Sequence, residues 1–375
     1  MAAIEYDSIE AAEDALRRAG ARDIFLQSGL CTGDISHIGP ALALRPELGA
    51  IVYDGTDSYD RGRTQIADVY IDSFRVPARQ VGYVNYALAP LARATVREVL
   101  ATIPRIIVAR SLKLGQSTKV VVDDIVASEE NRTRVMQTLR GANYDPSPDA
   151  AMHPDDAQTR AFLYEAKKVS LYRDVVVLWG RREGARGGMY PLQDHNTGFM
   201  RRLAGACLDQ GWTVVAAGDF EPDEFGELMA PAGGNARTGI FLGRFWEQVP
   251  MLRDPARRVR LFYILSKELK MMPAPRGLVH VGPRSFALDA FGFSGQSTIY
   301  LVGGSDPDQR LDQKVIGPLA NARTTRGLNS FAFTRVRLSD TPRRKKGAGF
   351  EDNLLTRRDM DVVVERIRSL LISPL

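Results

Sequence analysis

Cysteine and histidine are scarce in this sequence. Its 375 residues include two cysteines, Cys31 and Cys207, which lie in different halves of the chain. The four histidines show no zinc-binding H-E-x-x-H spacing, and they are His37, His153, His195 and His280. We therefore expect neither a disulfide framework nor a bound metal ion.

Long hydrophobic runs and targeting signals are also missing. No stretch approaches the roughly 18 apolar residues of a transmembrane helix. The N-terminal segment Met1–Ser8 has neither the basic nor the apolar region of a signal peptide. The sequence therefore predicts a cytoplasmic protein without a membrane span.

The charge balance is nearly even. Lys and Arg together number 50 and Asp and Glu together number 45, which gives a net charge of +5. Such a small excess does not by itself indicate nucleic-acid binding, and it suits an enzyme with an anionic ligand about as well. Hydrophobic residues make up 44% of the chain, which excludes a mainly disordered protein.

Strand-like and helix-like segments alternate along the chain. Continuous apolar runs such as Val175–Trp179 are typical of strands that are covered on both faces of a parallel sheet. We predict an α/β protein with two Rossmann-like domains that face each other across a cleft. The proline- and aspartate-rich stretch Asn143–Asp156 is interpreted as the link between them. The predicted divisions are residues 1–150, residues 151–358 and a closing helix over residues 359–375.

The first candidate ligand loop directly follows the predicted strand Val175–Trp179. Residues 180–188 read GRREGARGG, with three arginines and four glycines. Glycines let backbone N–H groups approach an anion, and Arg181, Arg182 and Arg186 can donate charge-assisted hydrogen bonds to a diphosphate. The loop is neither a P-loop nor a G-x-G-x-x-G fingerprint. The alternative interpretation is a flexible, solvated loop.

The second candidate ligand loop follows the predicted strand Gly277–Val281. A turn at Gly282 leads to Arg284 and to Ser285, which is placed to cap the next helix. A helix N-terminus binds phosphate through its free N–H groups, and Asp289, one turn later, could accept hydrogen bonds from a ribose. The alternative is a structural cap, with Arg284 solvated and Asp289 paired to a neighbour.

Three other segments carry weaker signals. Gly304 lies in the turn Gly303–Asp306 and could approach phosphates or sugar hydroxyls, or serve only as a turn. His195 follows the arginine loop and could contact a phosphate, although a surface histidine in the first turn of a helix is the favoured interpretation. The run Arg343–Lys346 is interpreted as a basic loop rather than a dedicated nucleic-acid contact.

Candidate catalytic residues of the first half lie in Ser28–Pro40, which its glycines and proline predict to be a loop. Asp34 and His37 are three residues apart and could meet on one face if the segment begins a helix. Either could then act as a general base toward a hydroxyl group. The alternative makes Asp34 a helix N-cap and His37 a surface residue.

About a third of the chain, Val175–Gly304, contains the segments VVVLWGRREGARGGMYP, GWTVVAAGD and GLVHVGPRSFALDAFGFSGQSTIYLVGG. They resemble the nucleotide-binding half of GT-B glycosyltransferases, loosely those of the fucosyltransferase type. The resemblance implies that residues 151–358 bind a nucleotide sugar and that residues 1–150 bind the acceptor. It departs from the H-x-R-R-x-D loops of fucosyltransferases, because Trp179 and Gly180 stand where a histidine and a second residue are expected.

The resemblance also implies roles for individual residues. The residues expected at the donor diphosphate are Arg181, Arg182, Arg186, Gly282, Arg284 and Ser285. Asp289 and Gly304 are expected at the nucleoside. Asp34 and His37 are the candidates for the base of an inverting reaction.

The sequence thus leads to one favoured hypothesis and two alternatives. The favoured one is a metal-independent glycosyltransferase that needs no cofactor, with a nucleoside-diphosphate sugar as donor and a small molecule, a glycan or a nucleic-acid base as acceptor. One alternative is a nucleic-acid-binding or base-modifying enzyme, including a DNA glycosyltransferase. The other is a nucleotide-sugar epimerase.

Overall fold

The computed structural model describes residues 4–28, 32–54, 71, 74–85, 111, 128–141, 144–180, 197–229, 239–283, 286–302, 333–338 and 356–372. The chain divides into two compact units. The first comprises Met1–Leu139, Asp254–Ala256 and Gln313–Ala322, and the second comprises Arg140–Arg253, Arg257–Asp312 and Arg323–Leu375.

The described strands of the first unit form a parallel sheet in the order β1-β4-β3-β2. These strands are β1 (Ile4–Tyr6), β2 (Asp23–Ser28), β3 (Leu48–Asp54) and β4 (Val81–Asn85). The described helices of this unit are α1 (Ile9–Arg18), α2 (Thr32–Leu44) and α3 (Glu129–Arg140), with a 3-10 turn at Ala78–Gln80. Ile9 and Leu16 of α1 pack against Ile51 and Val84 in one hydrophobic core.

Helix α2 corrects the prediction of a loop over Ser28–Pro40. The structure has a helix over Thr32–Leu44 with Pro40 inside it. Gly39 is explained by packing, since an added Cβ would lie 2.4 Å from Cδ2 of Phe74. Burial of Ile38 and its apolar neighbours in the helix outweighs the turn preference of glycine and proline.

The described strands of the second unit form a six-stranded parallel sheet in the order β10-β9-β8-β5-β6-β7. They are β5 (Val175–Gly180), β6 (Thr213–Gly218), β7 (Gly239–Gly243), β8 (Leu278–Pro283), β9 (Thr298–Val302) and β10 (Phe333–Arg337). Every residue of β5 except Gly180 is buried, as its continuous apolar run predicts. The predicted α/β class with two parallel sheets is confirmed.

Helices accompany the strands of this second sheet. They are α4 (Pro154–Arg160, continued by a π-helical segment Ala161–Ala166), α5 (Thr197–Asp209), α6 (Pro222–Met229), α7 (Phe245–Gln248), α8 (Pro255–Met271), α9 (Phe286–Phe293) and α10 (Arg357–Ile372), with a 3-10 turn at Pro250–Arg253. Helix α10 extends the helix predicted over Met360–Leu371 and buries Val363 and Ile367 in the core of the second unit.

The segment that follows residue 143 makes hydrogen bonds and an ion pair with helix α8. Tyr144 and Tyr164 both donate hydrogen bonds to the buried carboxylate of Glu268. Arg160 forms an ion pair with the same carboxylate at 3.0 Å. Residues 144–166 are therefore a packed part of the second unit, although their proline-rich first half resembles a solvated connection in sequence.

A second polar contact fixes the same segment. The guanidinium of Arg260 donates two hydrogen bonds of 2.6 Å to the carboxylate of Asp156, and both side chains are nearly buried, at 12% and 5% exposure. A pair of the same residue types lies nearby, where Arg257 and Asp155 stand 3.2 Å apart at 41% and 37% exposure. The two pairs differ in burial and also in geometry, since Arg257 and Asp155 make one contact of 3.2 Å instead of two hydrogen bonds.

That difference gives a matched stability prediction. Arg260→Ala should lower the free energy of unfolding by about 3 kcal/mol, because it leaves a buried carboxylate without its partner. Arg257→Ala should lower it by less than about 0.5 kcal/mol, because water replaces the lost contact. Denaturant unfolding of both variants measures the difference, and equal losses would show that burial does not decide the strength of these pairs.

Candidate ligand site at the carboxyl edge of the second sheet

The strand order of the second sheet contains a topological switch point. The chain runs outward from β5 through β6 to β7, then returns to the other side of β5 with β8. Strands β5 and β8 are direct neighbours, with Leu178 opposite Val281. In open parallel sheets, the crevice beyond the carboxyl ends of the two strands at such a point is the usual ligand site.

Both predicted ligand loops begin at this switch point. Strand β5 ends at Gly180, one residue before Arg181, and β8 ends at Pro283, one residue before Arg284. The strands pair side by side in parallel, so segments about one hundred residues apart in sequence start from neighbouring places on one edge. Sequence spacing alone does not show this proximity.

Glycines allow the strand ends to pack closely at this edge. A Cβ added to Gly282 would lie 2.9 Å from both Cβ and the carbonyl oxygen of Trp179. A Cβ added to Gly218 would lie 2.3 Å from the carbonyl oxygen of Gly180, and the φ of Gly218 is +95°. The Asp219 N–H donates to the same Gly180 oxygen at 3.0 Å. Side chains are therefore excluded where the arginine loop begins.

A buried chain of hydrogen bonds connects strands β5 and β8 close to their carboxyl ends. The indole Nε1 of Trp179 on β5 donates to Nδ1 of His280 on β8 at 3.1 Å. Because that nitrogen accepts, the proton of neutral His280 sits on Nε2, which donates to Oε1 of Gln296 at 3.1 Å. The Gln296 amide nitrogen donates to the Val259 carbonyl oxygen and to Oγ of Ser294.

The surroundings of His280 keep it neutral. The side chain is fully buried, with its ring stacked on that of Phe291 at 4.1 Å between centroids and an edge contact to Phe262. Burial lowers the pKa of His280 to about 3, against the smaller opposing effect of the Gln296 hydrogen bond. His280 is thus a structural link between the strands rather than a group that exchanges protons at neutral pH.

This neutral histidine predicts a loss of stability in mild acid. An unfolded chain protonates its imidazole below about pH 6.5, whereas buried His280 stays neutral down to about pH 3. The unfolded state therefore binds more protons, and the free energy of unfolding falls by about 1.4 kcal/mol for each pH unit below pH 6.5. Above that pH the contribution is constant.

Urea unfolding between pH 7.5 and pH 5 measures this slope. The variant His280→Gln should show a shallower dependence than the wild type over this range, and His153→Gln, which removes an exposed histidine, serves as the control. Identical slopes for the wild type and His280→Gln would show that His280 does not cause the loss.

An ion pair that the sequence did not suggest also lies at this edge. Asp219 follows β6 and Arg244 follows β7, and Nε of Arg244 donates to the Asp219 carboxylate at 2.8 Å. Nearby in the chain, the Arg258 guanidinium lies 4.9 Å from the centroid of the Trp246 ring. The Asp219–Arg244 pair therefore joins the carboxyl ends of β6 and β7, and Asp219 is also next to the end of β5 through its N–H.

Some of the predicted site residues lie within the described part of the chain, and others do not. Gly282 lies in β8 against Trp179, and Asp289 lies in α9, which begins directly after Ser285. Asp34 and His37 share helix α2, so Asp34 is inside the helix rather than its N-cap. Outside the described residues lie Arg181, Arg182, Arg186, Arg284, Ser285, Gly304, His195 and Arg343–Lys346.

In the described part of the chain, no group of three His, Cys, Asp or Glu residues could hold a metal ion. No helix in the same part is long and apolar enough to cross a membrane.

Comparison with known proteins gives distant structural similarities. No family model and no curated protein matches this chain. ADP-heptose LPS heptosyltransferase II of E. coli is similar, with a TM-score of 0.46 and 14% identity over 93% of this chain and 98% of that chain. A family 9 glycosyl transferase of Veillonella parvula has a TM-score of 0.42 and 9% identity, over 94% and 98% of the two chains. E. coli heptosyltransferase WaaC with ADP has a TM-score of 0.39 and 14% identity, over 93% and 99%.

Proposed function

We propose that this chain is a glycosyltransferase that moves a sugar from a nucleoside-diphosphate sugar to a hydroxyl acceptor. One observation carries the proposal: the two arginine-bearing loops start at β5 and β8, the strands that flank the switch point of the second sheet. A parallel sheet binds ligands at this place. Arginine and glycine there suit a diphosphate.

The proposed chemistry is stabilisation of the leaving diphosphate. When the bond between the sugar and the diphosphate breaks, negative charge grows on the phosphate oxygens. Arg181, Arg182 and Arg284 would neutralise that charge, as fixed cations stabilise developing anions in other enzymes. In other enzymes a divalent cation can neutralise a leaving diphosphate. Because the arginines would do this here, the proposed reaction needs neither a metal ion nor a cofactor.

The N-terminal end of α9 supplies a second element of the proposed donor site. The helix begins at Phe286, just past Arg284 and Ser285, and its first N–H groups have no partners within the helix. Such groups and the helix dipole favour a phosphate. Asp289, one turn along α9, and Gly304, past the end of β9, are proposed for the nucleoside.

A transfer with inversion also needs a general base for the acceptor hydroxyl. Asp34 and His37 are three residues apart on α2 of the first unit, a spacing that puts them on neighbouring positions of one helix face. We propose this pair for that role. The proposal assigns the acceptor to the first unit and the donor to the second.

Release of nucleoside diphosphate tests the proposed reaction. The full chain is incubated with ADP-, UDP-, GDP- and TDP-sugars, and free nucleoside diphosphate is measured with a coupled enzyme assay. A glycosyltransferase releases it by slow hydrolysis of the donor, and faster when an acceptor hydroxyl is present. Conversion of one nucleotide sugar to another without release would instead identify an epimerase and contradict the proposal.

A further inference from the structure

Three cationic side chains lie near the C-terminal end of helix α8, two of them beside the ring of Tyr263. On the helix itself, Tyr263, Lys267 and Lys270 follow one another at spacings of four and three residues, so they lie along one face. The Lys267 ammonium lies 5.7 Å from the centroid of the Tyr263 ring, and the Arg140 guanidinium lies 5.0 Å from the same centroid. We refer to Arg140, Lys267 and Lys270 as the cation cluster.

Like charges in the cation cluster act on one another. Burial lowers the pKa of Lys270, and the positive charges of Lys267 and Arg140 lower it further. Hydrogen bonding with Ser147 lowers the pKa of the exposed Asp145 carboxyl, and the positive charge of Lys267 lowers it further. Within the described ranges, no ion pair joins Lys267 or Lys270 to a carboxylate.

The cation cluster lies away from the switch point. Nε of Arg140 donates to the Ser294 carbonyl oxygen at 2.6 Å, just past the C-terminal end of α9. The opposite end of α9 begins at the switch-point edge, directly after Ser285. The cluster is therefore near the amino edge of the sheet, and a ligand there would not occupy the proposed donor site.

The position of Arg140 is fixed by the surrounding structure. Its carbonyl oxygen accepts a hydrogen bond of 2.6 Å from Nη1 of Arg260, whose side chain is held by the buried carboxylate of Asp156. The cluster thus combines one anchored guanidinium with two lysine ammonium groups. The C-terminal dipole of α8 offsets part of the repulsion among them, and an anion bound between them would offset more.

We propose that the cation cluster binds a phosphate group. A phosphate carries up to two negative charges and accepts hydrogen bonds on several oxygens, which matches a guanidinium with two ammonium groups. The group could arrive as free phosphate or on an anionic lipid, and the chemistry at the cluster is the same. The proposal does not depend on the proposed function.

Thermal unfolding of the full chain tests free phosphate as the ligand. The melting temperature is measured in phosphate and in chloride at matched ionic strength for the wild type and Lys267→Gln/Lys270→Gln. Arg358→Gln/Arg366→Gln removes two exposed cations of α10 and is the matched control. Arg182→Ala/Arg284→Ala separates this site from the proposed donor site, which could also take phosphate.

The expected result is a phosphate-specific rise in melting temperature in the wild type, the control and the donor-loop variant, lost in the lysine variant. Sedimentation with phosphatidylglycerol vesicles tests the lipid source with the same variants, and binding that needs the two lysines would support the proposal without a shift in free phosphate. A phosphate shift that survives in the lysine variant, or no response to either probe in the wild type, would overturn it.

Discussion

Arg182→Ala/Arg284→Ala should lower the rate of sugar transfer about 1,000-fold. The two arginines come from loops that start at neighbouring strand ends, so each would contact the same diphosphate. In the proposed reaction their charge matters most as the sugar–phosphate bond breaks, since the diphosphate then gains negative charge. The loss should therefore fall mainly on kcat, and donor affinity should fall less.

Steady-state kinetics measures this effect, with whichever of the tested nucleotide sugars the wild type turns over. Arg358→Ala/Arg366→Ala removes the same number of arginines from exposed positions on α10 and should keep the wild-type rate. If donor affinity and kcat of Arg182→Ala/Arg284→Ala both equal the wild-type values, these arginines do not bind the diphosphate.

Gly218→Ala should lower the free energy of unfolding by about 4 kcal/mol. The added Cβ would stand 2.3 Å from the Gly180 carbonyl oxygen and 3.0 Å from the Gly180 nitrogen, which are backbone atoms that cannot rotate away. The φ of +95° adds the strain of a conformation that alanine rarely adopts. The β5 and β6 ends must separate to admit the methyl group, which also displaces the start of the arginine loop.

Gly211→Ala isolates the steric part of this effect. Gly211 also has a positive φ, +78°, but an added Cβ there would meet no atom within 4 Å. Its replacement should cost about 1 kcal/mol, from backbone strain alone. Denaturant unfolding of both variants gives the comparison, and equal losses would mean that close packing at Gly180 contributes nothing to stability.

The sequence predicted five of the six described strands of the second sheet, because these five are short and mostly apolar runs. Strand β10, with the sequence FTRVR, is not such a run and was not predicted. The predicted strands Val175–Trp179 and Thr213–Ala217 each differ from the observed strand by one residue. Helix α2 was missed because its glycine and proline favour turns locally, and the buried contact of Gly39 with Phe74 reverses that preference. Tertiary packing of this kind leaves no periodic signal in the sequence.

The candidate site was predicted in part for a similar reason. Arginines and glycines after an apolar run are visible along the chain, so both candidate ligand segments could be proposed from sequence, and they stay a prediction because their arginines lie outside the described residues. The Trp179–His280 hydrogen bond joins residues 101 positions apart, and the Asp219–Arg244 pair joins residues 25 apart. These contacts follow from strand order, which local patterns do not determine.

Binding of a nucleoside diphosphate to the full chain tests the central claim most directly. The melting temperature is measured with UDP, GDP, TDP, ADP and CMP, each alone and as its sugar conjugate, at millimolar concentration. We expect at least one of these nucleotides to raise the melting temperature of the wild type and to have much less effect on Arg182→Ala/Arg284→Ala. No rise with any of them would contradict a nucleotide-sugar site at the switch point of the second sheet.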